Sequence, residues 1–161
     1  MCDTSAVEAS DLIEVDLGPR ARGYFTTRGL RALPVSAPGG GAQDRGAERE
    51  GGASYDGWNL ALHVGDDPQR VQCHRRQLEE LLGLEQGRHL AWMNQVHSAV
   101  VATAQAGEVP TADALVLDSR TGGAPAGCCV LVADCVPVLL ASGDGALTAA
   151  VHAGRRGMLD G

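Results

Sequence analysis

Apolar residues fall in short blocks along most of this chain, and only one stretch carries them at helical spacing. The blocks LIEVDLG (12–18) and ARGYFTTR (21–28) predict two short strands meeting at Gly18-Pro19. WNLALHVGDD (58–67) reads as a strand or extended loop leading into a helix, with Asp67 as N-cap and Pro68 at the first helical position. Val71, Leu78, Leu81 and Leu82 keep helical spacing, and Gly83 or Gly87 ends the run. HLAWMNQVHSAVVAT (89–103) predicts two strand-like runs joined at Asn94-Gln95. ADALVLD (112–118), CCVLVADCVPVLLA (128–141) and ALTAAVHAG (146–154) predict the remaining strands. Many strands with one clear helix point to the mixed α/β class, a mixed sheet with flanking helices of α/β/α-like kind. The last residues, HAGRRGMLDG, read as a strand end, a turn and the start of a helix. One face of the sheet is then left uncovered, so the pattern predicts a C-terminal truncation.

A length of 161 residues corresponds to a single domain, 1–161, that buries about two-thirds of its unfolded surface. Within it, LPVSAPGGGAQDRGAEREGGAS (33–54) has no apolar period and predicts a flexible insertion or an active-site flap. Apolar residues make up 44% but aromatics only 3%, so the core must be built from Val, Leu and Ala. The formal charge of -7 excludes a general affinity for nucleic acid or acidic membrane surfaces. No secretory signal and no membrane-spanning run is visible, and five cysteines are an odd count. They read as reduced thiols in a cytoplasm.

The densest chemistry lies in VADCVPVLLASGDGALTAAVHAGRRG (132–157). With Gly143 and Asp144 as the central residues of a type II′ turn, Ser142 faces Gly145 and Cys135 faces His152. Opposed residues share a face, within reach of one metal ion or of each other. Pro137 cannot donate to a ladder, so this register requires an edge or bulge position for it. A third ligand could come from His63, His74, His89 or His97, and spacing alone does not choose among them. Two imidazoles and a thiolate suit zinc with a fourth position left for water, and copper would bind the same set. Asp134 could orient a ligand from behind.

Arg155 and Arg156 follow His152 where a strand runs into a helix start, a suitable place to hold an anion, and Arg28 is a second candidate. Cys128 and Cys129 point to opposite faces of a strand, so both cannot serve one site. Cys2 and Cys73 read as incidental.

NQVHS, ADALV, ADCVPVLL and AAVHAGRRG, in this order, together with YFTTR, NLALHVGDDPQRV and LAWMNQVH, resemble the polyphenol-oxidase or laccase-domain family over most of residues 20 to 161. Members of that family are regarded as purine nucleoside phosphorylases. The resemblance implies an α/β domain and a metal site of His97, Cys135 and His152, which selects His97 among the open histidines. It also implies phosphorolysis of adenosine, inosine and methylthioadenosine, with adenosine deamination as a further activity. Copper-dependent oxidation of phenols has been attributed to such proteins as well. The partners would be small molecules, purine nucleosides and phosphate, the latter held by Arg28 and Arg156.

Three features depart from the family pattern. Arg155 stands where the family's HAGWRG motif has tryptophan. Residues 30–52 stretch a short loop after TTR. Family members also continue well beyond the HAG motif. Two other readings of the same residues remain at this level: a metal-free thiol hydrolase or deamidase with Cys135 as nucleophile and His152 as base, and an inactive fragment.

Overall fold

The computed structural model describes residues 8–27 and 57–161. The expected insertion at 33–54 and Arg28 lie outside the described residues. The observed class is mixed α/β. A 3-10 turn at Ala9–Asp11 leads into β1 (Leu12–Asp16), which pairs with β2 (Arg22–Thr26), the two strands expected around Gly18-Pro19.

Contacts divide the chain into two compact units, Met1–Ile13 with Thr26–Leu78, and Glu14–Phe25 with Glu79–Gly161. Helix α1 (Pro68–Leu81) begins where the proline predicts. The Asp67 carboxylate accepts from the Gln69 amide at 2.9 Å, an N-cap bond. Val71 and Leu78, two turns apart, form its buried stripe. The preceding segment 58–67 is a loop, held by Asp66, which accepts from Asn59 Nδ2 at 2.9 Å and pairs with Arg70. No helix among the described residues is long and apolar enough to cross a membrane.

The second unit holds the larger sheet. β3 (Leu90–Ala91) pairs in parallel with β6 (Gly127–Cys128). β4 (Val101–Thr103), β5 (Ala114–Asp118), β7 (Val136–Ala141) and β8 (Leu147–Ala153) form a four-stranded sheet in the order β4-β5-β8-β7, parallel only between β4 and β5. α2 (Arg155–Asp160) follows directly. Alternation along β5 and β8 puts Leu115, Leu117, Ala150 and His152 on one buried face. Ala91, Met93, Ala104 and Ala112 pack with the two leucines, a core of small apolar residues as the composition required. Val101, Val136 and Leu140 belong to the other face and are 61%, 57% and 54% exposed, so that face is largely uncovered, as expected.

Two expectations are corrected. The β7–β8 connection is a five-residue loop, 142–146, and Pro137, not Cys135, faces His152. The turn forms around Ser142, whose carbonyl accepts from the Gly145 amide at 2.8 Å and whose Oγ accepts from the Leu147 amide at 2.9 Å. Gly145, at φ 69°, supplies the left-handed residue that a two-residue turn would have demanded of Gly143. Pro137 sits on an edge strand, where a missing N–H costs nothing. Cys128, Cys129 and Cys135 are free thiols, but Cys73 is disulfide-bonded, against the reading of every cysteine as reduced.

Candidate metal centre

His97, Cys135 and His152 converge although they lie on three separate segments. One ligand atom from each lies within 4.8 Å of the other two. The Cys135 Sγ is 3.9 Å from His97 Nε2, and the two imidazoles meet edge to face with centroids 4.6 Å apart. The shifted hairpin register still permits this meeting. Continuing the β7–β8 pairing past Val136↔Ala153 sets Cys135 opposite Gly154, two residues from His152 and on the same face. Gly154 leaves that position open: a Cβ there would lie 3.1 Å from His97 Cδ2, 3.4 Å from Cys135 Sγ and 3.5 Å from His152 Cε1.

The buried carboxylate of Asp113 organises the back of the site. The β5–β8 register, Ala114↔Val151, extends to Asp113 opposite His152. The His152 amide donates to the Asp113 carbonyl at 2.7 Å, and its Nδ1 lies 2.8 Å from Asp113 Oδ1. With Nδ1 engaged, Nε2 is the nitrogen left for the cluster. The same carboxylate accepts from the backbone amides of Val96, His97 and Ser98 and from the Ser98 hydroxyl. His97 adopts φ 61° inside this turn, the single non-glycine residue with positive φ among the described residues. Burial pushes the Asp113 carboxyl up, but hydrogen bonds from His152, Ser98 and Val96 outweigh it and hold the group well below the usual carboxylate range.

The donor set fits a borderline-soft cation. A tetrahedral ion bonded at ~2.0–2.1 Å to nitrogen and ~2.3 Å to sulfur separates its ligand atoms by about 3.3–3.6 Å. The sulfur–nitrogen distance of 3.9 Å is near that value. Exposure is graded: His152 is buried, Cys135 half-buried and His97 open. A reactant therefore has access from the His97 side.

That side opens into a cavity of about 420 Å³ lined by His97, Asp134, Cys135, Arg155, Arg156 and Asp160. Arg156 Nε is 3.7 Å from Asp160 Oδ2, and both side chains are exposed. A larger cavity of about 680 Å³, bordered by His89, Trp92 and Leu117, contains none of the three converging residues. Of the other histidines, His74 Nδ1 meets the Asn59 carbonyl at 2.8 Å and His89 Nδ1 meets Glu79 at 3.1 Å. His63 is exposed. Asp134, expected to orient a ligand, is exposed in the cavity wall, and it is Asp113 that binds His152. The sequence reading missed Asp113 and Gly154. An acid at the mouth of an apolar strand was the available signal for the first.

Residues 46–161 match the family described as multi-copper polyphenol oxidoreductase laccase. The chain is 46% identical over 121 residues to a purine nucleoside phosphorylase of Corynebacterium glutamicum, an alignment covering 70% of this chain and 47% of that protein. It is 46% identical over 121 residues to one from Streptomyces coelicolor, covering 71% and 48%. A third, from Streptomyces griseus, is 41% identical over 139 residues, covering 81% and 53%. The chain thus spans about half the length of the curated relatives it matches.

Proposed function

Because this chain belongs to the multi-copper polyphenol oxidoreductase laccase family, whose relatives above are purine nucleoside phosphorylases, we propose that it is a zinc-dependent member with that activity. The substrates are adenosine, inosine or methylthioadenosine together with phosphate, and adenosine deamination is a second reaction of the same site. The observation that carries this reading is the convergence of His97, Cys135 and His152 beside a cavity lined by two arginines.

His97, Cys135 and His152 hold the metal. When bound there, zinc supplies a positive charge that acidifies water towards a pKa of about 7. In phosphorolysis a phosphate oxygen bonds to C1′ of the ribose as the bond from C1′ to the purine nitrogen breaks. The electron pair leaves on that nitrogen, which takes up a proton, giving free base and sugar 1-phosphate. Arg156 holds the phosphate through charge-assisted hydrogen bonds in place of the Asp160 pairing. In deamination, water adds at the purine carbon bearing the amino group and ammonia departs.

The test joins metal analysis to product analysis. Near-stoichiometric zinc and phosphate-dependent release of adenine or hypoxanthine are expected, both lost in His97→Ala and Cys135→Ala. Fully metallated protein with no turnover of any purine nucleoside would overturn the proposal, and copper in zinc's place would favour phenol oxidation instead. The 3.9 Å approach of Cys135 Sγ to His97 Nε2 supports one second reading, a metal-free thiol nucleophile with His97, not His152, as its base. Alkylation of Cys135 that zinc does not slow would favour it.

A further inference from the structure

We infer that Asp113 is a positioning residue for two of the three ligand side chains at once, fixing the proton of His152 on Nδ1 and clamping the turn that presents His97. The inference rests on the metal-site reading above and assigns a role to a residue outside the ligand set.

Five donors converge on this one carboxylate. Oδ1 meets His152 Nδ1 at 2.8 Å and the His97 amide at 2.9 Å. Oδ2 meets the Ser98 amide at 2.6 Å, the Ser98 hydroxyl at 2.7 Å and the Val96 amide at 3.2 Å. Asp113 is only 2% exposed, so water does not substitute for these partners.

A carboxylate is acceptor-only, so neutral His152 must carry its proton on Nδ1 and direct the Nε2 lone pair at the cluster. Asparagine would break this logic. Its oxygen can continue to serve the Val96 and Ser98 amides, but its NH₂ would then take the place of Oδ1, leaving the His97 amide without its acceptor and requiring Nδ1 of His152 to accept. The proton would move to Nε2, where it blocks a metal.

The second consequence concerns His97. A left-handed conformation is disfavoured for a residue bearing a Cβ, so the turn must hold His97 in it. Three successive amides, 96 to 98, close on the same acceptor and form a concave nest around a negative charge. The bonds that orient one imidazole are thus shared with those that hold the backbone of the other.

Long-range ¹H–¹⁵N NMR of the imidazoles, recorded on metal-free protein in alkaline buffer, reads the tautomer directly. The expected result is a protonated Nδ1 and a bare Nε2 for His152 in the wild type and in Ser98→Ala, inverted in Asp113→Asn. Zinc affinity, measured by competition with a chelating dye, should fall roughly 10–100-fold in Asp113→Asn and by much less in Ser98→Ala. A proton on Nε2 in the metal-free wild type would overturn the inference, as would an Asp113→Asn protein with the wild-type tautomer and zinc affinity within twofold. If Asp113→Asn does not fold, the wild-type and Ser98→Ala spectra still decide. Because the spectra need neither substrate nor zinc, a chain that cleaves no nucleoside would defeat the proposed activity and leave the role of Asp113 standing.

Discussion

Gly154 packs against His97 so closely that a Cβ on the glycine would lie 3.1 Å from the ring's Cδ2. The backbone there is extended, at φ -80° and ψ 151°, a conformation alanine adopts without strain. The glycine is therefore required by space alone. Gly154→Ala should fold with a near-wild-type melting temperature while pushing His97, Cys135 and His152 apart. Zinc affinity should fall roughly tenfold, the scale seen when a group behind the ligands is disturbed. Dye competition beside a thermal melt checks both halves, and unchanged affinity would show that the three side chains absorb the methyl group.

The Asp113 carboxylate makes a different prediction, about acid. Its folded pKa is depressed, so the stabilisation it provides is present above the ordinary aspartate value of about 3.9 and lost as pH falls below it. Asp113→Asn should cost roughly 3 kcal/mol at neutral pH, as expected for removing one partner of a buried hydrogen-bonded pair. The gap between wild type and variant should narrow steadily between about pH 4 and the acid limit. Urea unfolding of the metal-free proteins across that range measures it, and a gap independent of pH would contradict the assignment.

The strands around the site were legible because their chemistry is local. Alternating apolar runs delimit β5, β7 and β8, and Asp67-Pro68 marks the start of α1. What escaped the sequence is register between distant segments. Nothing in 112–118 announces that β5 pairs with β8, so Asp113 opposite His152 could not be read. Even the local β7–β8 turn was misplaced by the assumption that Gly143 supplies the left-handed residue, when Ser142 and Asp144 build a longer loop ending at Gly145. The convergence survived that error because the partner of Cys135 shifts by two residues, from 152 to 154, and an even shift keeps Cys135 on the face of His152. His97 was singled out by resemblance alone, since its position depends on a backbone turn closed by a carboxylate 16 residues away.

Metal removal offers a third check. An ion bound only by the folded chain adds stability through mass action, about 2.7 kcal/mol at a hundredfold excess over its dissociation constant. Treating the zinc-loaded wild type with a chelator should lower its Tm by several degrees. The same treatment should leave Cys135→Ala unmoved, because that variant has no thiolate to complete the set. Equal responses in the two proteins would locate the stabilising ion elsewhere.

Arg156 and Asp160 should act in opposite directions on phosphate. Their side chains face the cavity as an exposed pair at 3.7 Å, so the carboxylate competes with any anion for the guanidinium. Arg156→Ala removes a charge-assisted hydrogen bond worth about 1.5–3 kcal/mol, so KM for phosphate should rise at least roughly tenfold. Asp160→Ala frees the guanidinium, and KM for phosphate should fall severalfold. Neither change should move the melting temperature, since exposed ion pairs contribute little to stability. Initial rates of base release over a range of phosphate concentrations, at saturating inosine, separate the two variants. Parallel changes in both, or an effect confined to kcat, would remove Arg156 from the phosphate site.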